Sequence, residues 1–144
     1  MTNKNLERFA SLQCKQPSGV AITSGNPYIF GRGTRTIAGV AAESQVATGT
    51  ANYDTNSGYF TMDIEGAFNL PVKASTQSSP SAGAAINPGD AVYADGGTYD
   101  PTSGVTYGIT LDNDTNGTFF GIALDAVSAG QTTTIRVMLK NAAC

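Results

Sequence analysis

The stretch DNDTNG, which begins at Asp112, is the part of the chain whose residue types and spacing most resemble a ligand-binding loop. Asp112, Asp114 and Asn116 stand two residues apart and a glycine follows, as in the first half of a calcium loop. Such a loop needs a bidentate glutamate at its twelfth position, which is occupied here by Ala123. Apolar, β-rich runs flank the stretch, and Asn-Gly is a favoured pair for a type I′ turn. The spacing therefore predicts a hairpin turn, with a weak calcium contact as the alternative.

Other patterns that could carry chemistry are weaker. The string GRGTR, residues 31–35, lacks the spacing of a P-loop and is typical of a solvated turn. Most of the acidic residues fall in turns or on polar strand faces, where carboxylates bind their own backbone. The chain has no histidine, the usual general base and the commonest transition-metal ligand. We therefore expect no enzyme activity, no cofactor and no metal site.

Charge and hydropathy also narrow the choice of partners. The net charge is −3 and the eight lysines and arginines are scattered, so no basic face for nucleic acid is expected. The N-terminal sequence has no apolar run typical of a signal peptide. No later segment approaches the roughly 20 apolar residues of a membrane span. The two cysteines, Cys14 and Cys144, have no metal-site or disulfide spacing, which favours synthesis in a reducing compartment.

From residue 18 onward, apolar and polar side chains alternate with the period of a β-strand. Clusters of Gly, Asn, Asp and Ser interrupt the strands at short intervals. This pattern predicts an all-β fold, a small closed barrel or sandwich of short antiparallel strands, with at most one turn of helix in 38–49 and in 120–130. Strands are predicted at 20–22, 27–30, 36–41, 60–70 with a bend at Gly66, 91–94, 107–111, 120–124 and 133–140.

The chain also resembles itself, which predicts two similar halves. Each half would contain a turn, a short strand, a G-V/I-A segment, a stretch of small residues and a long strand. Chance similarity between Gly- and Ala-rich strings is the alternative. The matching segments are 22–30 and 86–94, then 38–49 and 120–130, then 60–70 and 133–140.

Residues 1–17 are predicted to be an N-terminal arm, followed by a single β domain over 18–144. Leu6, Phe9 and Leu12 are spaced by three, and so short a segment needs packing on something else to become ordered. A frayed terminus is the alternative. The three side chains are our candidate contacts with a neighbouring molecule. The segments 74–85 and 95–106 are predicted to be long surface loops, and they are further candidates for such contacts.

The order of the segments resembles a known family. SGNPYIFG, IAGVA, FTMDIEGAFNLPVKA, PGDAVYAD and FFGIALDAVSAGQTTTIRVMLKN follow one another over about residues 18–141. The series resembles phage capsid cement or decoration proteins, small virion proteins encoded beside the major capsid protein. Some relatives carry a recombinase label, which this sequence does not support because it has neither a P-loop nor a basic face.

The resemblance implies a structural virion protein that binds the outer surface of the major capsid protein shell and stabilises it. It implies a homo-oligomer, with a trimer favoured, on the outer surface of the capsid after synthesis in the host cytoplasm. Leu6, Phe9 and Leu12 then become candidate contacts with the shell or with a neighbouring copy. The alternative function is a carbohydrate- or receptor-binding β module on a virion or tail. The tyrosines available for stacking on a sugar are Tyr53, Tyr59, Tyr93, Tyr99 and Tyr107.

Overall fold

A computed structural model describes residues 11–48, 58–74 and 84–139 of the chain. These residues contain nine β-strands and no helix, so the predicted all-β fold is confirmed and the single helical turns are not observed. None of the described residues belongs to a helix with the length and apolar character needed to cross a membrane. The strands are β1 (Ser11–Lys15), β2 (Pro27–Arg32), β3 (Arg35–Ala41), β4 (Tyr59–Asp63), β5 (Ala67–Lys73), β6 (Ala91–Asp100), β7 (Val105–Asp112), β8 (Thr118–Ala123) and β9 (Thr132–Leu139).

The strands form one mixed sheet in the order β1-β4-β3-β2-β7-β5-β9-β8-β6, and β6 also pairs with β7. This extra pairing joins five strands, β5 to β9, into a ring. The other four strands continue the sheet from β7, so the fold is sandwich-like with a partial ring and is not a simple barrel. The β5–β7 pair is parallel, whereas we expected antiparallel pairs throughout.

The sheet order shows that the predicted two halves are real. The first repeat, β1 to β4, has the order β1-β4-β3-β2, and the second repeat, formed by β5, β6, β8 and β9, has the matching order β5-β9-β8-β6. Strand β7 is the additional strand between them. Equivalent register pairs are Pro27–Val40 and Ala91–Ile122, Val40–Asp63 and Ile122–Met138, and Ser11–Asp63 and Ala67–Met138.

Hydrogen bonds outside the strands repeat in the same way. In each repeat an isoleucine stands just before the first turn. It forms an isolated antiparallel bridge with a residue in the small-residue stretch that follows the G-V/I-A segment. In each repeat a turn glycine donates to the alanine of that segment, and an acidic side chain accepts a backbone N–H. The matched bonds are Ile22–Gln45 and Ile86–Val127; Gly25–Ala41 at 2.9 Å and Gly89–Ala123 at 2.8 Å; and Thr61–Glu43 at 3.2 Å and Arg136–Asp125 at 2.9 Å.

The buried side chains form two clusters that share strand β7. Val105 belongs to the smaller cluster, which lies in the first repeat, and Leu111 belongs to the larger cluster, which is centred on the second repeat. Three first-repeat residues, Ile29, Ala38 and Val40, also belong to the larger cluster. Strands β2 and β3 therefore bury both of their faces, and the two repeats are packed into one unit.

The predicted strand over 60–70 is two strands that belong to different repeats. Strand β4 pairs with β1 and β3, whereas β5 pairs with β7 and β9. Gly66 lies between them with a backbone φ of 113°, a value that residues other than glycine rarely adopt. The bend predicted at Gly66 is thus a full break in pairing and marks the link between the repeats.

The N-terminal residues that the structure describes lie in the sheet. Residues 11–15, which we assigned to the arm, form β1 and pair with β4 along its length. Cys14 lies in the smaller cluster, and burial raises the pKa of its thiol to about 11. In the sheet order β1 occupies the place that β5 occupies in the second repeat, so it completes the first repeat. Residues 1–10 lie outside the described residues.

We predicted a long loop over 95–106, and this prediction is wrong. It forms the outer half of a hairpin between β6 and β7, and residues 101–104 make its tip. The tip reaches the first repeat, where Ile29 and Phe30 pair with the start of β7. Of the other predicted loop, 74–85, residues 75–83 lie outside the described residues.

Candidate functional site

The stretch that begins at Asp112 is a connection built by its own side chains. Asp112 Oδ1 accepts the backbone N–H of Asp114 at 2.9 Å, and Asp114 Oδ1 accepts that of Asn116 at 3.0 Å. Such bonds are the usual role of Asp in turns. The carboxylates thus cap the backbone of the connection.

The predicted hairpin turn is wrong in two respects. Strands β7 and β8 are not paired with each other, because β6 lies between them and pairs with both. Neither Asn116 nor Gly117 has a positive φ, so the turn is not type I′. Gly117 is needed for space instead, since a Cβ there would lie 2.5 Å from Asp95 Oδ1 and 2.6 Å from the carbonyl oxygen of Ala94.

Acidic side chains approach each other at this end of the ring. Burial raises the pKa of Asp112 to about 6, together with a hydrogen bond that its protonated carboxyl group donates to Asp95 and the charges of Asp95 and Asp114. One backbone hydrogen bond, from Asp114, opposes the shift. In the part of the chain that the structure describes, no three His, Cys, Asp or Glu residues converge to hold a metal ion. The acidic group is therefore a pH-sensitive feature of the fold.

A substitution at Asp112 tests this feature. The folded-state pKa lies above the unfolded value, so the contribution of Asp112 to stability falls as the pH rises from about 4 to about 6. Asp112→Asn should remove this slope while its amide oxygen still accepts the N–H of Asp114. Because the side chain is partly exposed, we expect a gain of about 1 kcal/mol at pH 7, well below the full value of the shift.

The measurement is urea unfolding of both proteins at several pH values between 4 and 7. The comparison at pH 4 is the internal control, since the carboxyl group is then mostly neutral and the two stabilities should nearly agree. Parallel pH profiles for the two proteins would contradict the assignment.

A cleft of about 470 Å³ lies beside Asp112, at the junction of the two repeats. It opens where β7 leaves β2 after Thr106 and before it joins β5 at Leu111. Its wall contains Pro27, Pro71 and Lys73. The cleft is thus a consequence of β7 changing partner between the repeats.

The string GRGTR forms the turn between β2 and β3, in agreement with the turn that we predicted. Arg32 and Arg35 face each other across the hairpin. The Arg32 guanidinium lies 5.1 Å from the centroid of the Tyr99 ring, a cation–π distance. This contact links the β2–β3 hairpin to the tip of the β6–β7 hairpin.

The described tyrosines among the sugar-stacking candidates do not share one open surface. Tyr59 is exposed on β4, Tyr99 lies against Arg32, and Tyr107 packs on the smaller cluster. Tyr93 lies on the opposite repeat from Tyr59, against Phe119. Tyr53 lies outside the described residues.

The structure describes one of the three candidate contact residues. Leu12 lies on β1 and is partly buried against the smaller cluster. Its first role is therefore to pack the first repeat. Leu6 and Phe9 lie outside the described residues, so their contacts stay predictions.

Exposed apolar side chains form a surface that the sequence did not predict. Phe119 and Met138 are each 40% exposed, and the Phe119 ring meets Tyr93 edge-on at 5.8 Å. The alternation pattern placed Phe120 and Ile122 on the same face of their strand. A β-bulge in the β6–β8 pair shifts the register and separates them. Phe120 is therefore buried, whereas Ile122 lies opposite Met138. The sequence signal for an exposed aromatic side chain was the pair of adjacent phenylalanines, Phe119 and Phe120, because neighbouring residues of a strand point to opposite faces.

The fold and its surfaces define a structural all-β protein, duplicated internally, that offers contact area on rigid sheets. The family model described as phage cement protein matches residues 8–139, and the chain belongs to this family. The comparison with curated proteins finds no match, nor does the comparison with solved structures. Family membership confirms the predicted resemblance and gives the protein a structural, capsid-associated role.

Proposed function

We propose that this protein decorates the bacteriophage capsid by binding the outer surface of the major capsid protein shell, and that it stabilises the shell. The observation that carries the proposal is the family match over residues 8–139. The fold supports it, because two repeats sharing β7 make a rigid body for repeated contacts. Many copies bound to one shell add small binding energies into a large total.

The proposed assembly is a homo-oligomer, with a trimer favoured, because a closed oligomer can match the local symmetry of a shell. The protein acts through contact, without catalysis and without a cofactor. It is made in the host cytoplasm and ends on the outer surface of the virion. Candidate shell or neighbour contacts are Leu6, Phe9, Leu12 and the hairpin tip at 101–104.

Co-sedimentation tests the proposal. Purified protein is mixed with assembled, undecorated particles of its phage and, separately, with free capsid subunits. We expect saturable binding to particles and none to subunits, because the contact site is created by assembly. Absence of binding to particles would overturn the proposed function.

Removing the N-terminal residues should separate shell binding from folding. Because β1 begins at Ser11, deletion of residues 2–10 leaves every described strand in place. We expect the affinity for particles to fall about tenfold, which corresponds to ~1.4 kcal/mol. The measurement is the occupancy of particles over a range of protein concentrations.

Phe68→Ala is the matched control, because Phe68 packs on the larger cluster and is not a candidate contact. It should lower the melting temperature, whereas the deletion should leave it unchanged. Undiminished occupancy after the deletion would remove residues 2–10 from the shell contact.

A further inference from the structure

One face of the second repeat carries apolar side chains that the described chain leaves uncovered. Tyr93 pairs with Phe119, and Ile122 pairs with Met138, so these side chains share one face of β6, β8 and β9. Val92 and Val137, on the opposite face, are fully buried in the larger cluster. We call the set Tyr93, Phe119, Ile122 and Met138 the outer face of the second repeat.

The duplication identifies the same face in the first repeat. Register matches Ile29 to Tyr93, Ala38 to Phe119 and Val40 to Ile122. These three first-repeat residues are only 5%, 4% and 2% exposed, and they belong to the larger cluster. The face that is open in the second repeat is therefore an interface in the first repeat.

The chain itself shows what covers that face. Ile29, Ala38 and Val40 share the larger cluster with buried side chains from every strand of the second repeat. Examples are Leu70 on β5, Val92 on β6, Phe120 on β8 and Ile135 on β9. The covering element is thus part of the second repeat, a β module of this same chain.

In the first repeat, this face is apolar where another element covers it and polar where it is left uncovered. In the first repeat the position of Met138 is held by Asp63 and that of Ala67 by Ser11, and neither Asp63 nor Ser11 is buried. The first repeat is thus polar where this face is left uncovered. The second repeat keeps Met138 at the equivalent exposed position, where an intramolecular role would not require it.

The rim of the face is polar. Asp95 follows Tyr93 by two residues on β6, and Arg136 precedes Met138 by two residues on β9. Arg136 binds Asp125 at 2.8 Å. A centre of aromatic, isoleucine and methionine side chains within a polar rim is typical of protein–protein interfaces.

We infer that the outer face of the second repeat is covered by a second copy of this chain, as the equivalent face of the first repeat is covered by a β module within one chain. This inference rests on the proposed homo-oligomer and names its surface. A β module of this chain is the occupant that the structure supports, because one already covers the equivalent face of the first repeat.

A photo-crosslinker tests the inference directly. Phe119→p-benzoylphenylalanine keeps an aromatic ring at a 40% exposed position. We expect irradiation to produce covalent dimers of this chain, either in solution at increasing protein concentration or on decorated particles. The control is the same change at Tyr59, which is 47% exposed on the first repeat and should yield few or no dimers.

A second variant copies the first repeat. Met138→Asp places at position 138 the residue that the first repeat has at position 63, and it should reduce the dimer yield from position 119 at least tenfold. Its melting curve should stay close to that of the wild type, because Met138 is exposed.

The outcomes separate this inference from the proposed function. Crosslinks from position 119 to the major capsid protein, or none at all, would overturn the second copy as occupant while particle binding remained. If the protein fails to sediment with particles, the proposed function fails, but dimers formed in solution would still support the self-association face.

Discussion

Phe60→Ala is expected to lower the free energy of unfolding by about 3–5 kcal/mol, the usual cost of emptying a buried phenylalanine site. Phe60 is fully buried in the smaller cluster, and its ring lies 5.4 Å from that of Tyr28. Other side chains cannot easily fill the space, because the sheet register fixes the neighbours of Phe60 on β1. Urea unfolding followed by far-UV circular dichroism measures the change.

The variant also tests whether the two repeats fold as one unit. Strand β7 serves both clusters, and Ile29, Ala38 and Val40 carry the first repeat into the larger one. We therefore expect one unfolding transition at a lower urea concentration, as in most domains of this size. Tyr59→Ala, at the exposed neighbouring position, is the control and should change stability by about 0.5 kcal/mol or less. Two separate transitions for Phe60→Ala would contradict the shared core.

Gly121→Ala is expected to destabilise the protein by about 2–4 kcal/mol, because a Cβ there would clash with the backbone carbonyl oxygen of Met138. Backbone in a sheet cannot move aside without breaking the pairing of β8 with β9. The equivalent residue in the first repeat is Gly39, where the added Cβ would meet the side chain of Met62. A methionine side chain can change rotamer, even in a core, so Gly39→Ala should cost less.

Thermal and urea unfolding of the two alanine variants provide a matched comparison within one chain. The expected order of stability is wild type, then Gly39→Ala, then Gly121→Ala. An equal loss in both variants would show that Met62 has no more freedom than a backbone carbonyl group. A neutral Gly121→Ala would show that β8 and β9 lie further apart than described here.

Local pattern was enough to predict most strands and the duplication. Alternation located β8 and β9 to within a few residues, because one face of each is more buried than the other. Strands β2 and β3 bury residues on both faces, and they were located as short apolar segments between turn clusters. The internal resemblance was visible because equivalent turns and G-V/I-A segments make the same hydrogen bonds in both repeats. Leu12 and Cys14 are two residues apart, as are Phe68 and Leu70 on the equivalent strand β5. This shared spacing in the sequence would have predicted β1.

The candidate surface was harder to predict than the strands. Exposure of Phe119 and Met138 depends on a bulge in the β6–β8 pair and on the absence of a described neighbour over that face. In the first repeat, Ala38, which matches Phe119 in register, is covered, whereas Asp63, which matches Met138, is not buried. Residue type alone therefore does not show which face is open. Only the arrangement of the repeats decides it.

Strand β7 shows most clearly what required the folded chain. Its alternation predicted a strand, yet its partners, β2, β6 and a parallel β5, come from both repeats. Alternation reports which side of a strand is buried, because burial acts on each side chain separately. Partner and direction depend on hydrogen bonds between backbones distant in sequence, and backbone groups are the same for nearly every residue type. The strands and their repeat were therefore readable from the chain, whereas the joining of the repeats through β7 and the open outer face were settled by packing.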